Sequence, residues 1–250
     1  MITRRYHFDE IDSTNKKAKE FAAEGCESGT LVTACEQNAG IGRRGRSWSS
    51  EKGAGIYMSM VLRPEIETDQ ASMLTLVAAM AVEKAILTLV KNAQPMIKWP
   101  NDIVLNKKKI CGILTEMSLI GTEIDYVVVG IGINVNNRMF PEEISQTASS
   151  LCLECGVEFD KELLITEVWK QFDVYYKRFL QTKDLSLFKE EYHSFLINKD
   201  AQVKVLDPLG EYTGIAKGIT NIGELIVDTE EGEKRVFGGE VSVRGIYGYV

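Results

Sequence analysis

The sequence predicts an α/β (α+β) protein, in which a mixed sheet with helices is followed by a small all-β domain of SH3-like size. Two observations support this class. Apolar runs with strand character alternate with runs of helical spacing up to about residue 195. After Asn198 the chain changes to short strands separated by tight turns. We therefore expect two domains, residues 1–198 and 199–250, which pack together because the connection between them is short.

Helices are predicted where apolar residues recur three or four positions apart, and strands where short β-branched or alternating runs lie between turn residues. In the first domain the expected helices are 14–24, 69–90, a segment from Asp160 with an apolar stripe through Phe179, and 185–195; the strands are 30–36, 55–63, 96–99, 103–105, 110–117 and 123–135. In the second domain the expected strands are 203–206, 214–220, 225–228, 235–237 and 241–244.

Composition narrows the class of protein. The 250 residues are 44% hydrophobic and 26% charged, as in an ordinary globular protein. No apolar run reaches the roughly 20 residues that span a bilayer, and the N-terminus lacks a signal sequence, so we expect a cytoplasmic protein without a membrane partner. The five cysteines have no framework spacing, which suggests a reducing compartment. Cys152 and Cys155 form a lone pair, so we expect no structural metal there.

The segment from Gly40 to Trp48 holds three glycines, three arginines and a tryptophan. Glycines let the backbone approach a ligand, and arginines supply planar donors for phosphate or carboxylate, so the segment predicts a loop that folds over an anion. It also spells G-x-G-x-x-G, but a dinucleotide-binding turn needs a helix directly afterwards, and residues 46–53 have no apolar stripe. A solvated basic turn and a nucleic-acid patch are the alternatives.

Polar residues also follow predicted strands. Asn101 and Asp102 present side-chain oxygens at a strand end in the run Lys98–Asp102, although such a run can also be only a turn. Lys109 lies where the hairpin connection 106–109 re-enters an apolar strand, so its stem can be buried while its amine points into a cleft.

Alternate glycines mark the strand that ends at Asn134. Gly130 and Gly132 leave one face of this strand bare, so a flat ligand could lie against it. Asn134 can both donate and accept a hydrogen bond, which suits an adenine edge.

Taken in order, these clusters resemble the motifs of the biotin protein ligases. The matching segments are Asp12-Ser13-Thr14-Asn15, Gln37 with the loop to Trp48, Lys98–Asp102, Lys109 with Gly112, Gly130–Asn134 and Gly239–Arg244. Six motifs in order, from about Tyr6 to Arg244, are far more specific than any one of them. The resemblance implies a class II synthetase-like catalytic domain and a small C-terminal barrel.

The resemblance also implies a two-step reaction. Biotin reacts with ATP, together with Mg²⁺, to give biotinyl-5′-AMP and pyrophosphate, and a lysine of a biotin carboxyl carrier protein or carboxylase domain then takes the biotinyl group. The residue types agree, because two anions must be brought together and fixed cations reduce their repulsion.

Residue roles follow from the resemblance. The implied catalytic residues are Lys109, Arg43 and Arg46. The implied biotin-binding residues are Ser13, Thr14, Asn15, Gln37, Gly40, Arg43, Trp48, Lys109 and Gly112. The implied ATP- or adenylate-binding residues are Arg43, Arg46, Trp48, Asn101, Asp102, Lys109, Gly132, Asn134, Phe140 and Arg244. The resemblance does not single out a metal ligand from the protein side.

Two departures from the pattern concern Ile41, where many relatives carry a basic or polar residue, and Cys111, where alanine is common. Ile41 leaves one ureido contact to the backbone, and Cys111 is small enough to be tolerated. Some biotin ligases carry an N-terminal winged helix-turn-helix; no helical pair precedes the catalytic residues here, so we expect no DNA binding. An exposed strand edge could support a homodimer.

Two other functions remain open from the sequence. A lipoate or octanoate ligase or transferase would share the fold, but the arginine-rich loop with Gln37 suits a polar ureido head better than a dithiolane. A nucleic-acid-binding module could use Arg43, Arg44, Arg46 and the lysines 107 to 109. The net charge of −7 argues against it.

Overall fold

The first of two sheets carries seven strands. A computed structural model describes residues 2–239, 241–246 and 248–250. The strands are β1 (Arg4–Phe8), β2 (Thr30–Ala34), β3 (Ile56–Leu62), β4 (Met96–Lys98), β5 (Asp102–Leu105), β6 (Lys108–Ile120) and β7 (Glu123–Ile133). Their order is β1-β2-β3-β7-β6-β5-β4, with β1 parallel to β2 and the other neighbours antiparallel. The sheet is therefore mixed, as predicted.

Helices cover both faces of this sheet. They are α1 (Thr14–Ala23), α2 (Met73–Leu89), α3 (Leu151–Cys155), α4 (Lys161–Thr182) and α5 (Lys189–Phe195). Successive strand residues point to opposite faces. Val61 and Val128 accordingly pack with Ala18 of α1, whereas Met60 and Val129 belong to the larger core that contains α2 and α4. The sheet is thus sandwiched between α1 on one side and α2 with α4 on the other.

The second sheet contains five antiparallel strands. They are β8 (Gln202–Leu206), β9 (Tyr212–Ile219), β10 (Leu225–Thr229), β11 (Gly232–Val236) and β12 (Ser242–Gly245), in the order β11-β10-β9-β8-β12. Val203, Val205 and Ala216 are fully buried in the same core cluster as α2 and α4. The predicted fold class, a mixed α/β part with a small β domain, is confirmed, and the two parts share one apolar interior.

Two elements were not predicted. β1 has the sequence Arg-Arg-Tyr-His-Phe, and it lies at the sheet edge with most of its residues exposed, so it lacks the apolar alternation of a half-buried strand. α3 has five residues, too few to show helical periodicity; Ser150 caps it by accepting a hydrogen bond from Leu153 N. The helix predicted at 185–195 begins only at Lys189.

α2 and the 3₁₀ turn before it form the most apolar segment. By length and composition alone Thr68–Leu89 could cross a membrane, contrary to the expectation that no apolar run is long enough. In the fold, 67% of its most apolar window is buried inside the protein, as expected for a core helix. Burial also raises the pKa of Glu83, in the middle of α2, to about 8.

Candidate active site

Two cavities of different character meet beside β5, β6 and β7. The basic cavity, with a volume of about 260 Å³, is lined by six cationic side chains: Arg43, Arg44, Arg46, Lys98, Lys109 and Arg244. The polar pocket, with a volume of about 50 Å³, is lined at its inner end by Ser13, Thr14, Asn15 and Gln37. Arg43, Trp48, Asn101 and Lys109 line both cavities. The two cavities therefore form one continuous site.

A network of neutral hydrogen bonds builds the polar pocket. Ser13 caps α1, so the first helical residues Thr14 and Asn15 are held at the pocket wall. Gln37 Oε1 accepts hydrogen bonds from Thr14 N at 2.8 Å and from Thr14 Oγ1 at 3.1 Å. Gln37 Nε2 donates to Ser50 Oγ at 3.0 Å. Both ends of the Gln37 amide are thus held by hydrogen bonds within the pocket wall.

Buried polar groups extend this network beneath the pocket. Ser59, on β3, is fully buried and its hydroxyl lies 2.8 Å from Thr14 Oγ1 and 2.5 Å from Asn15 Oδ1. Asn15 Nδ2 donates to Glu116 Oε2 at 2.8 Å. Buried polar groups are tolerated only when they are hydrogen-bonded, so these contacts fix the side chain of Asn15 in one orientation.

The alternate glycines of β7 are covered by protein side chains, contrary to the expectation that a flat ligand lies directly on them. A Cβ atom added at Gly130 would lie 1.9 Å from Asn15 Oδ1. At Gly132 it would lie 2.6 Å from the indole of Trp48, which also covers Gly112 at 2.8 Å. The glycines therefore make room for Asn15 and Trp48, and those side chains in turn form the walls of the polar pocket.

Lys109 reaches the site because of a bulge in β6. Val104 pairs with Lys109 and Ile103 with Cys111, which leaves Ile110 as an extra residue. Ile110 and Cys111 are both fully buried in the core, although they are neighbours in a strand. The bulge thus turns Lys109 to the same face as Gly112, and its ammonium lies at the boundary between the two cavities.

Asp102 holds this lysine in place. The distance from Lys109 Nζ to Asp102 Oδ1 is 2.7 Å, and the hydroxyl of Tyr249 donates to Asp102 Oδ2. Burial alone would raise the pKa of Asp102, but Lys109 and Lys98 outweigh it and hold that pKa below its usual value. Burial lowers the pKa of Lys98 to about 8, and its ammonium lies 4.1 Å from the centre of the Tyr249 ring.

Arg43 joins the glycine–arginine loop, residues 40–48, to the second domain. Its guanidinium donates to Asn101 Oδ1 at 2.8 Å, and to the carbonyl oxygens of Gly238 and Gly239, the latter at 2.8 Å. Burial lowers the pKa of Arg43 from its usual value. The loop itself contains only a short 3₁₀ turn at Arg43–Gly45 and no α-helix, which agrees with the rejection of a dinucleotide-binding turn.

The structure brings most of the residues implied by the resemblance to this site. The residues lining the polar pocket include Ser13, Thr14, Asn15, Gln37, Arg43, Trp48, Lys109 and Gly112. Those lining the basic cavity include Arg43, Arg46, Trp48, Asn101, Asp102, Lys109, Asn134, Phe140 and Arg244.

Two positions differ from expectation, and a third cannot be compared. Gly132 lines the polar pocket instead of the basic cavity. Gly40 is buried behind the loop, where an added Cβ would lie 2.6 Å from Trp48 O. Glu240, within the C-terminal motif, lies outside the described residues. Gly40 therefore shapes the loop, and Gly132 makes room for the indole.

Sequence reasoning missed Tyr249, Lys98 and Ser59 as site residues. Tyr249 is 147 positions from Asp102, and no spacing signal links them. Lys98 lies in a recognised motif, and its place at a strand end before Pro100 could have suggested it.

Trp48 Nε1 is buried and has no hydrogen-bond partner among the residues that the structure describes. A polar atom in that position is available to a ligand.

This chain is similar in sequence and in fold to known protein ligases. Residues 7–134 match the biotin/lipoate A/B protein ligase family, and residues 201–244 match the biotin protein ligase C terminal domain. The chain is 37% identical to the bifunctional ligase/repressor BirA of Bacillus subtilis over 240 residues, which cover 95% of this chain and 73% of that protein. It is 30% identical to a biotin–[acetyl-CoA-carboxylase] ligase of Mycobacterium tuberculosis, covering 86% and 80% of the two chains. The biotin protein ligase of Aquifex aeolicus, solved in complex with biotin and ATP, superposes with a TM-score of 0.87 at 34% identity, covering 97% of this chain and 99% of that one.

Proposed function

The chain belongs to the biotin/lipoate A/B protein ligase family. We propose that its site carries out the reaction of a biotin protein ligase. The enzyme activates biotin with ATP as biotinyl-5′-AMP and then transfers the biotinyl group to a protein lysine. The acceptor is a biotin carboxyl carrier protein or carboxylase domain. Biotin and ATP are its substrates.

The position of Lys109 carries this proposal. Its ammonium lies at the junction of a small neutral pocket and a larger cationic cavity, and Asp102 holds it there at 2.7 Å. An uncharged head group suits the polar pocket, and a triphosphate suits the basic cavity. A cation at the junction contacts the two reacting groups, a carboxylate and an α-phosphate, at the point where their charges would otherwise repel.

In the first step, an oxygen of the biotin carboxylate attacks the α-phosphorus of ATP. A bond from that oxygen to phosphorus forms, and the bond from phosphorus to the bridging oxygen of pyrophosphate breaks. In the second step the neutral amine of the acceptor lysine attacks the acyl carbon, the bond to the phosphate oxygen breaks, AMP leaves and the amine loses a proton. Lys109 and Arg46 stabilise the negative charge on phosphate in both steps.

We assign the ureido ring of biotin to the polar pocket. Its two N–H groups and its carbonyl need paired polar partners, which Ser13, Thr14 and Gln37 supply at the inner wall. Trp48 forms an apolar wall over Gly112 and Gly132, and Arg43, Asn15 and Gly112 complete the pocket. Gly40 contributes through the backbone of the loop. Ile41 also lines the pocket mouth, where it is 53% exposed.

We assign ATP to the basic cavity. Arg43, Arg46 and Arg244 face the phosphates, while Asn134 and Phe140 line the part suited to adenine. Asn134 is held by donating from Nδ2 to Ser149 O at 3.0 Å. Asn101 accepts from Arg43, and Asp102 positions Lys109.

Mg²⁺ fits this cavity as an ion that arrives with the phosphates. The carboxylates lining the cavity among the described residues are Glu51 and Asp102, and Asp102 is already engaged by Lys109 and Tyr249. Mg²⁺ needs only one or two carboxylates when substrate phosphates and water supply its other ligands. When bound it would neutralise phosphate charge, and Glu51 is the residue placed to hold it.

The acceptor protein can approach through a third opening, the side cleft, which has a volume of about 610 Å³ and also reaches Arg43. Its rim includes Met117, Ile222 and Phe237, which are 46%, 53% and 52% exposed. An exposed apolar rim beside a reactive site is typical of a protein-docking surface. We therefore propose that the acceptor domain contacts this rim and inserts its lysine toward Lys109.

The first test is ATP–pyrophosphate exchange with biotin or lipoate as the only acid. We expect exchange with biotin alone, and a loss of about 1,000-fold in Lys109→Ala, because a preorganised charge at the reacting oxygen contributes an effect of that size. Lys108→Ala is the matched control, since it removes the neighbouring ammonium from the same strand. Exchange with lipoate alone would place the enzyme with the lipoate ligases, and exchange with neither acid would contradict the proposal.

The acceptor route has a separate test. Phe237→Ala should slow transfer of biotin to a purified carrier domain about 10-fold, because an aromatic side chain that the acceptor covers on docking contributes at least about 1.4 kcal/mol to binding. ATP–pyrophosphate exchange should stay unchanged. Leu209→Ala is the control, because Leu209 is 98% exposed at a turn away from the cleft. Equal transfer rates in all three proteins would remove the side cleft from the proposal.

We propose the domain division 1–198 and 199–250. Asn198 Oδ1 accepts from Trp99 N at 3.0 Å, so residue 198 still belongs to the first part, and β8 begins at Gln202. We further propose that the enzyme works in the cytoplasm and without nucleic acid, which the net charge of −7 supports.

A further inference from the structure

We propose a binding site for a divalent transition metal, best matched by Zn²⁺, formed by His7, Asp9 and Cys35. The imidazole, carboxylate and thiol atoms of these residues all lie within 4.8 Å of one another. None of the three lines the cavities assigned to biotin, ATP or the acceptor. The site is therefore spatially separate from the cavities of the proposed reaction.

Strand pairing brings the three ligands together. β1 and β2 run parallel, with Phe8 opposite Ala34, so the residues that follow each strand emerge at the same end. Cys35 N donates to Phe8 O at 2.9 Å, which fixes the backbone between them. His7 and Asp9 flank Phe8, and alternation along an extended chain puts their side chains on one side.

The hydrogen bonds of His7 prepare it to bind a metal. The hydroxyl of Thr33 donates its single proton to Tyr6 O at 3.2 Å, so Thr33 Oγ1 can only accept from His7 Nδ1, which lies 2.9 Å away. With Nδ1 donating to Thr33, Nε2 is the nitrogen that is free to bind a metal, and it lies 3.4 Å from Cys35 Sγ. Metal-binding histidines commonly use this arrangement, in which the second nitrogen donates to a fixed partner.

The donor set and the spacing favour zinc. Nitrogen, thiolate sulfur and carboxylate oxygen together suit Zn²⁺, and three protein ligands leave a fourth position for water. Zinc bonds of about 2.3 Å to sulfur and 2.0 Å to nitrogen, at a tetrahedral angle, separate those two atoms by roughly 3.5 Å. The distance of 3.4 Å between Cys35 Sγ and His7 Nε2 already matches that value. Zinc bound to these two atoms would replace the thiol proton, and Asp9 lies close enough to complete the set, because all three ligand atoms are within 4.8 Å of one another.

Charges around the site permit a cation. Arg5 approaches Thr33 Oγ1 at 3.3 Å, but its guanidinium is paired with Glu162, with Nη2 to Oε1 at 2.8 Å. Exposure of His7 and Asp9 gives the metal a path from solvent. Cys35 also lies two positions before Gln37, so a bound ion would fix the strand end that leads to the polar pocket.

The test is titration of the full-length reduced protein with Zn²⁺ by calorimetry and with Co²⁺ by absorption spectroscopy, both without nucleotide. We expect one equivalent of metal, and a Co²⁺ spectrum with a thiolate charge-transfer band and the intense visible bands of tetrahedral coordination. Cys35→Ser and His7→Asn should each abolish the band. Thr33→Val should weaken metal affinity roughly 10- to 100-fold, as for loss of a partner that orients a ligating histidine.

Cys26→Ser is the matched control, because Cys26 is another partly buried free thiol and lies outside the cluster. Retention of the band in Cys26→Ser and its loss in Cys35→Ser would support the site. Absence of stoichiometric binding, a Co²⁺ spectrum without a thiolate band, or a band that survives in Cys35→Ser would overturn it.

Discussion

The polar pocket and the basic cavity share Lys109 and Arg43 but are built in different ways. The inner wall of the pocket consists of buried or half-buried neutral groups that bond to one another, such as Thr14 to Gln37 and Ser59 to Asn15. The basic cavity presents charged side chains, and Arg44, Arg46 and Arg244 among them are exposed. On the proposed assignment, a neutral head group is held by a hydrogen-bonded network, whereas a polyanion is held by cations that can still adjust their positions.

The two cavities also differ in which parts of the chain build them. The lining of the polar pocket comes from residues 13 to 132, all in the first domain. The basic cavity adds Val241 to Arg244 and Tyr249 from the second domain. Substitutions in the pocket wall should therefore change mainly the KM for biotin, and substitutions at the contacts with the second domain should change mainly the KM for ATP.

Gly130→Ala is expected to give the largest difference between the effect on the KM for biotin and the effect on the KM for ATP. The added Cβ would lie 1.9 Å from Asn15 Oδ1, so Asn15 must leave its network and the pocket wall must shift. We expect the KM for biotin to rise about 100-fold, the scale on which misplaced groups reduce catalysis, with the KM for ATP nearly unchanged. Steady-state exchange kinetics with each substrate varied measures both values.

Gly248→Ala is the control for Gly130→Ala, because a Cβ at Gly248 meets nothing within 4 Å. If Gly130→Ala raised both KM values equally, the two cavities would not be separable in function.

A smaller effect, mainly on the KM for ATP, is expected for Arg43→Lys. Lysine cannot reproduce the planar fork that joins Asn101 to the backbone of Gly238 and Gly239. Losing charge-assisted hydrogen bonds of about 1.5–3 kcal/mol should raise the KM for ATP roughly 30-fold. The KM for biotin should rise less, since the network of Thr14 and Gln37 stays intact.

Arg44→Lys makes the same chemical change one residue along, where the side chain is exposed. It should leave both KM values within about twofold, as for most surface substitutions. A larger effect in Arg44→Lys than in Arg43→Lys would refute the role of the inter-domain contacts.

The smallest effect is expected for Tyr249→Phe. This change removes the hydroxyl that donates to Asp102 but keeps the ring beside Lys98. Asp102 would still bind Lys109, so we expect kcat to fall only about 5-fold, the effect of one hydrogen bond near 1 kcal/mol. Single-turnover formation of the adenylate measures this rate.

Tyr212→Phe provides the comparison for Tyr249→Phe, because Tyr212 lies in β9 of the same domain and lines neither cavity. A rate in Tyr249→Phe equal to wild type would show that Lys109 needs only Asp102 to hold it.

Local sequence signals account for much of the fold. The apolar spacing of α4, from Leu164 to Phe179, predicted a buried helical face, and those residues are buried. Such periodicity arises from one element facing one core, so it can be read without the rest of the chain. β1 escaped prediction because an edge strand has little apolar surface to bury.

The sequence by itself determined the motifs of the site: the glycine–arginine loop, the run Lys98–Asp102 and the alternate glycines of β7. Only the tertiary structure decided how they are used. Asn15 and Trp48 cover the glycines, the bulge at Ile110 turns Lys109 toward Asp102, and Tyr249 reaches Asp102 across 147 positions. The physical reason is that spacing along the chain reports local backbone geometry, whereas contacts between distant segments depend on how the whole core packs.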